Sequence, residues 1–152
     1  MPSGLGKLYR RNQMDYIFQG TTMVAQATPC FIAFHTADPL DDGSAANEMT
    51  SAGNYLRTSF TFGSTNWNAS TTPSNDAATV VTNKVAIVTA TSTAAWSGTA
   101  NFFSLRTVST IGDVASGNFI ARGAVSPGQV INATGQFITV PIGSASFTSN
   151  SS

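Results

Sequence analysis

The sequence predicts an all-β fold: an antiparallel β-sandwich or jelly-roll-like domain preceded by a short N-terminal helix. Three observations carry this. Seven runs rich in Val, Ile, Phe and Thr recur after Gly20, each of strand length and bounded by Gly, Pro, Asn or Ser. One of them alternates with period two: Leu56, Thr58, Phe60 and Phe62 fall on one face, Tyr55, Arg57, Ser59 and Thr61 on the other. The chain of 152 residues suits one domain that buries roughly 70% of its extended surface without help from disulfides or metal. No fixed-period repeat and no linker composition interrupts it.

The elements follow in order. Residues 1–6 (MPSGLG) read as a flexible lead. Lys7 to Gln19 lacks Gly and Pro, and Gly20 stands where a helix-ending glycine is expected. Leu5, Leu8, Tyr9, Tyr16 and Ile17 form a partial helical stripe, so residues 1–22 are expected to be an arm carrying a short helix. The strand runs are PCFIAFHT, NYLRTSFTFG, NKVAIVTA, TANFFSLRTV, GNFIARGAV, QVINA and QFITVPIG, which place the β-domain at residues 23–143. Pro141 marks an edge strand or strand end, because it has no N–H for a ladder. Residues 63–79 read as a polar surface loop, and residues 144–152 as a polar C-terminal tail without a partner.

Composition narrows the function. Charged residues make up 9% of the chain, against about 25% in an average soluble protein. Ser, Thr and Asn account for about a third of it, and the formal net charge is zero. Such a surface steers nothing by charge and repels its own copies little, which suits a component packed into an assembly. No stretch of eighteen apolar residues is present to span a bilayer, and MPSGLGKLYRRNQ lacks a signal-peptide core. Lys7, Arg10 and Arg11 are too few for a nucleic-acid footprint, so neither nucleic acid nor membrane is an expected partner.

Four of the seven acids and the only histidine crowd into Phe31–Met49: His35, Asp38, Asp41, Asp42 and Glu48. Cys30 and His35 resemble a nucleophile–base pair, but an odd spacing in a strand puts them on opposite faces, and a lone apolar-flanked thiol reads as core. A calcium loop started at Asp38 has Asp42 and Gly43 at its fifth and sixth places. Its third place is Leu40 and its twelfth is Met49, so the ligand set is incomplete. A transition metal needs more His or Cys than the one of each present. Asp38–Pro39 and Asp42–Gly43 are turn dipeptides whose Asp side chains cap their own backbone. No catalytic residue, metal or cofactor is expected. The acidic stretch is read as a structural turn.

The motif FHTADP (Phe34–Pro39), then Asn47–Glu48, then Gly53-x-Tyr55-x-Arg57, resembles small virion proteins of tailed bacteriophages, often labelled tail-fibre-like. The resemblance continues through WSGTANFFSL (Trp96–Leu105), SGNFIARGAV (Ser116–Val125) and VINATGQFITV (Val130–Val140). The family pattern usually has Gly after HTADP, where this chain has Leu40. The resemblance implies a structural virion protein and not an enzyme, with His35, Asp38, Asn47, Glu48 and Arg57 as a structural turn cluster in which Asn47 and Glu48 accept from the Arg57 guanidinium or from backbone amides. The leading expectation is a capsid decoration (cement) protein on the head exterior, a trimer, bound to the major capsid protein through Lys7, Arg10 and Arg11. The alternative is a tail fibre or receptor-binding module, with Trp67 in the 63–79 loop available to hold a sugar.

Overall fold

The computed structural model describes residues 4–22, 29–44, 46–50, 52–69 and 79–149. Along these run β1 (Gly4–Leu5), α1 (Lys7–Gln19), β2 (Cys30–His35), β3 (Thr58–Phe60), β4 (Thr79–Thr82), β5 (Ile87–Val88), β6 (Thr99–Arg106), β7 (Phe119–Val130), β8 (Thr139–Val140) and β9 (Ser146–Ser149). A five-stranded sheet has the order β1-β7-β6-β2-β3, and β4/β9 and β5/β8 form two-stranded ribbons. Every pairing is antiparallel. The chain is therefore all-β after one short N-terminal helix, as the strand runs predict.

One core holds the sheet and the ribbons together. Ile32 lies opposite Leu105, and Phe34 opposite Phe103, so all four share a face. Cys30, Ile120, Ile87 of β5, Val140 of β8 and Ala145 just before β9 join them. The other face of β2 and β6 carries His35, Ser104 and Arg106, and these are buried as well. What buries them is the 36–50 segment, which folds back so that Thr36 donates to the Asn47 carbonyl and Met49 to the Phe34 carbonyl.

Several local expectations are corrected. In the Asn54–Gly63 run only Thr58–Phe60 is strand, and its first half is inverted: Tyr55 and Arg57 are buried while Leu56 is 55% exposed. Polarity misleads there because a single carboxylate satisfies both buried polar groups. The GNFIARGAV run and the start of QVINA lie in one continuous strand, β7. NKVAIVTA and QFITVPIG give only two ladder residues each, because side chains take over the backbone pairing. The Asn83 amide donates to the carbonyls of Val85 and Pro141 and accepts from the Ala145 N–H, and the Thr89 hydroxyl accepts from the Ile138 N–H.

Both ends of the chain are more ordered than their polarity suggests. Gly4 and Leu5 pair with Arg122 and Ala121, and the Gly6 N–H donates to the Ile120 carbonyl at 2.6 Å. Residues 146–149, read as part of an unpaired tail, pair with β4. A strand bonds through its backbone, so a Ser/Thr-rich segment can pair without an apolar signature. Residues 1–3, the segment 23–28 at the expected arm boundary, 70–78 of the 63–79 loop and 150–152 lie outside the described residues. α1 ends at Gly20, whose φ is +66°. It buries no side chain fully: Tyr9 packs on the core, as does Leu5 of β1, whereas Met14, Tyr16, Ile17 and Phe18 are exposed.

Candidate functional site

The residues of the acidic segment converge on the polar face of β2 and β6. Glu48 is its centre. Arg57 Nε donates to Glu48 Oε1 at 2.8 Å and an Arg57 terminal nitrogen to Oε2 at 2.6 Å. The Tyr55 hydroxyl donates to Oε1 at 3.1 Å and accepts from the Phe34 N–H at 2.9 Å. The Gly112 N–H completes the carboxylate at 2.7 Å. The Glu48 and Arg57 side chains are 4% and 0% exposed, so this is a desolvated ion pair that survives through its full set of hydrogen bonds. Burial, reinforced by Glu48, pushes the Tyr55 phenol well above its ordinary value, and it stays protonated.

A second chain runs through His35. Its Nδ1 lies 3.0 Å from Asn47 Oδ1 and its Nε2 2.8 Å from Ser104 Oγ. Asn47 Nδ2 donates to the Asp38 carbonyl, and Arg106 Nε donates to Ser104 Oγ at 3.3 Å. Arg106 continues to the Gly43 carbonyl at 2.8 Å and to Asp113 at 3.5 Å, and stacks 5.3 Å from the Phe119 ring. Burial lowers the His35 pKa to about 4; Glu48 opposes the fall, and the Arg106 and Arg57 charges add to it. The imidazole is neutral at pH 7.

Ser104, His35 and Asn47 thus stand in the order of a nucleophile, a base and its orienter. Ser104 is fully buried and His35 1% exposed, so no acyl group reaches the hydroxyl, whose oxygen already accepts from Arg106. Cys30 is also fully buried, its thiol pushed up to about 11 by burial, and it faces the apolar core while His35 faces the polar side.

Asp38 and Asp41 are held by cations of the same chain. Arg122 pairs with both Asp38 and Asp41, and Arg10 reaches Asp41 at 3.1 Å. The Arg10 hydrogen bond, with Arg122 beside it, holds the Asp41 carboxyl below its ordinary range. Asp38 accepts from the Leu40 N–H and Asp42 from the Ser44 N–H, the self-capping turns that their Pro and Gly neighbours predict. Among the described residues, no group of three or more His, Cys, Asp or Glu is placed to hold a metal ion, and no helix is long and apolar enough to cross a membrane.

Sequence reasoning paired Arg57 with Glu48 but missed Tyr55, Ser104, Arg106, Asp113 and Arg122. For Ser104, Arg106 and Arg122 the signal was available: polar residues alternating with Phe103, Leu105 and Ala121 in strands with one apolar face; Tyr55 and Asp113 lie outside the strands. Of the expected docking cations, Arg10 binds Asp41, and Arg11 lies 4.0 Å from Asp15 in an exposed pair; at Lys7 it is the backbone N–H that donates, to the Asp41 carbonyl at 2.8 Å. Trp67, expected as an exposed sugar platform, is buried beside Phe60 and Phe62, with ring centroids 5.8 and 6.1 Å away.

The polar cluster centred on Glu48 and His35 locks the 36–50 segment to the sheet, and His35, Asp38, Asn47, Glu48, Tyr55, Arg57, Ser104 and Arg122 of this lock belong to the motifs that carry the phage resemblance. Gly53 takes φ +62° and its carbonyl accepts from Trp96 Nε1 at 3.0 Å; Tyr55 meets the Trp96 ring edge-on at 5.1 Å. A family model described as podophage GP4 fiber I protein gp80 matches residues 5–148. The chain belongs to this family. It is accordingly a virion protein of the tailed-phage, fibre-like kind, and the match takes in β1, α1 and both ribbons as well as the lock. Comparison with curated proteins gives no match.

Proposed function

We propose that this chain is a structural, non-enzymatic module of a phage tail fibre, assembling with copies of itself, a trimer being the expected state, and with other virion proteins. The observation that carries the reading is the family match across residues 5–148. The lock supports it from the chemical side. Its polar groups sit under the 36–50 segment, partnered with one another, an arrangement that stiffens a domain and offers a substrate no entry. Low charge and a hydroxyl- and amide-rich surface suit close packing between subunits.

Capsid decoration is the competing reading. It rests on small size, low charge and a short N-terminal arm with cations to set against the major capsid protein. Engagement of Arg10 by Asp41 and of Arg11 by Asp15 weakens that last support. The two separate by location. Virions split into heads and tails and probed by quantitative mass spectrometry and immunogold labelling should carry the protein on the tail. Label spread over the head in hundreds of copies would establish decoration instead.

A further inference from the structure

We propose that the outward face of α1 is a self-docking surface: it takes the same face of a second copy of the chain, antiparallel about a two-fold axis at Met14.

Little of the helix is enclosed by the domain it stands on. Its half-buried Leu8, Tyr9 and Gln13 lie on the inner side, and Tyr9 packs on the core. Lys7, Arg10, Arg11, Met14, Ile17 and Phe18, spaced three and four apart, are all exposed and form the outer face. Met14, Ile17 and Phe18 are 54%, 65% and 74% exposed. A helix of thirteen residues is marginal by itself in water and draws its stability from packing. The apolar half of this outer face is open to receive it.

The order of side chains along the face identifies the occupant. Its first half carries cations and its second half apolar groups, with Phe18 last. A helix lying on a lipid surface separates the two kinds around its circumference; α1 separates them along its axis. Parallel pairing would set Lys7, Arg10 and Arg11 level with the same three cations of the copy. Antiparallel pairing removes that repulsion. With Met14 opposite Met14, Arg10 and Arg11 of each chain lie over Phe18 and Ile17 of the other. Guanidinium groups then meet an aromatic face, and their stems cover apolar surface. Arg11 also comes within a turn of the copy's Asp15, an acid that its own Arg11 reaches only at 4.0 Å. Two identical faces meet in this way through an isologous contact.

Area sets the strength. A helix face about 20 Å long falls short of a stable interface, which takes about 800 Å² per partner. The contact is therefore weak in the free chain, with a Kd between about 10 μM and about 1 mM. Copies held at high local concentration in an assembly engage it fully.

The test is analytical ultracentrifugation of the full chain up to about 1 mM, where the mass should double with concentration. Ile17→Ser with Phe18→Ser, both at exposed positions, should hold the lower mass with an unchanged melt. Cys30 is buried and is the sole cysteine, so added cysteines report alone. Met14→Cys should link copy to copy through a short bis-maleimide, whereas Lys7→Cys, about 20 Å from its counterpart, should not. A mass that never doubles, doubling that survives the serine pair, or linking at Lys7 as readily as at Met14 would each overturn the proposal. So would binding of α1 to phosphatidylserine vesicles in place of self-association. A trimer formed elsewhere on the chain would double to six copies and return to three in the serine variant, so this outcome is separate from the assembly and location proposed above.

Discussion

Glu48 and Arg57 form a two-point ion pair, at 2.8 and 2.6 Å, that is almost wholly removed from solvent. Its further partners come from two places: Tyr55 beside Arg57, and the loop after β6, which supplies the Gly112 N–H and the Val108 carbonyl that accepts from Arg57 at 2.9 Å. Removing one member strands the other charge. Glu48→Ala or Arg57→Ala should each cost about 3–5 kcal/mol in denaturant unfolding. A joint replacement, Glu48→Leu with Arg57→Met, should recover much of that loss because no charge is left uncompensated.

Gly43 and Gly20 both hold left-handed backbone, at φ +70° and +66°, but only one of them is enclosed. A Cβ on Gly43 would lie 2.4 Å from the Phe119 ring and 2.8 Å from Arg106, whereas nothing lies within 4 Å of one on Gly20. Gly43→Ala should cost about 2–5 kcal/mol, from backbone strain plus overpacking, and Gly20→Ala about 1 kcal/mol. Thermal melts of the two variants side by side check the contrast.

Leu40 takes φ +65° without being glycine, at the place where the resemblance has Gly after HTADP. Its side chain is half-exposed, so little packing offsets the strain. Leu40→Gly should be neutral or stabilising by up to about 1 kcal/mol, the αL relief less the added freedom of the unfolded chain. A melting temperature lowered by several degrees would contradict this.

Asp41 and Asp42 differ despite adjacency. Asp41 anchors Arg10 and Arg122, while Asp42 caps only Ser44. The double replacement by Ala should leave the sheet folded and loosen α1, seen as faster proteolysis near the N-terminus. Millimolar calcium should leave the melting temperature of the unaltered protein unmoved, since Asp38 and Asp41 are already paired with arginines and Asp42 stands alone as a ligand.

Cys30 is fully buried and its thiol sits at about 11, so the reactive thiolate is scarce at neutral pH. A thiol-reactive dye should fail to label the folded protein and label it fully in denaturant. Rapid labelling without denaturant would mean that β2 opens readily.

The all-β class, the helix over Lys7–Gln19 and its end at Gly20 were legible because each is written locally, in period and punctuation. So was the turn chemistry of Asp38 and Asp42, which needs only neighbouring backbone. The pairing of Arg57 with Glu48 was within reach because both residues belong to the motif that carries the phage resemblance. Tertiary structure alone decided which face of Tyr55–Arg57 points inward, since an alternating pattern has two phases and polarity chooses the wrong one when a distant carboxylate waits inside. It alone brought Ser104 and Arg106 from β6 to His35 of β2, and Arg122 of β7 to Asp38, because register across strands is not encoded in either strand by itself. The polar ends escaped notice for the same reason: a strand that pairs through its backbone at a sheet margin need carry no apolar signature to show that a partner exists.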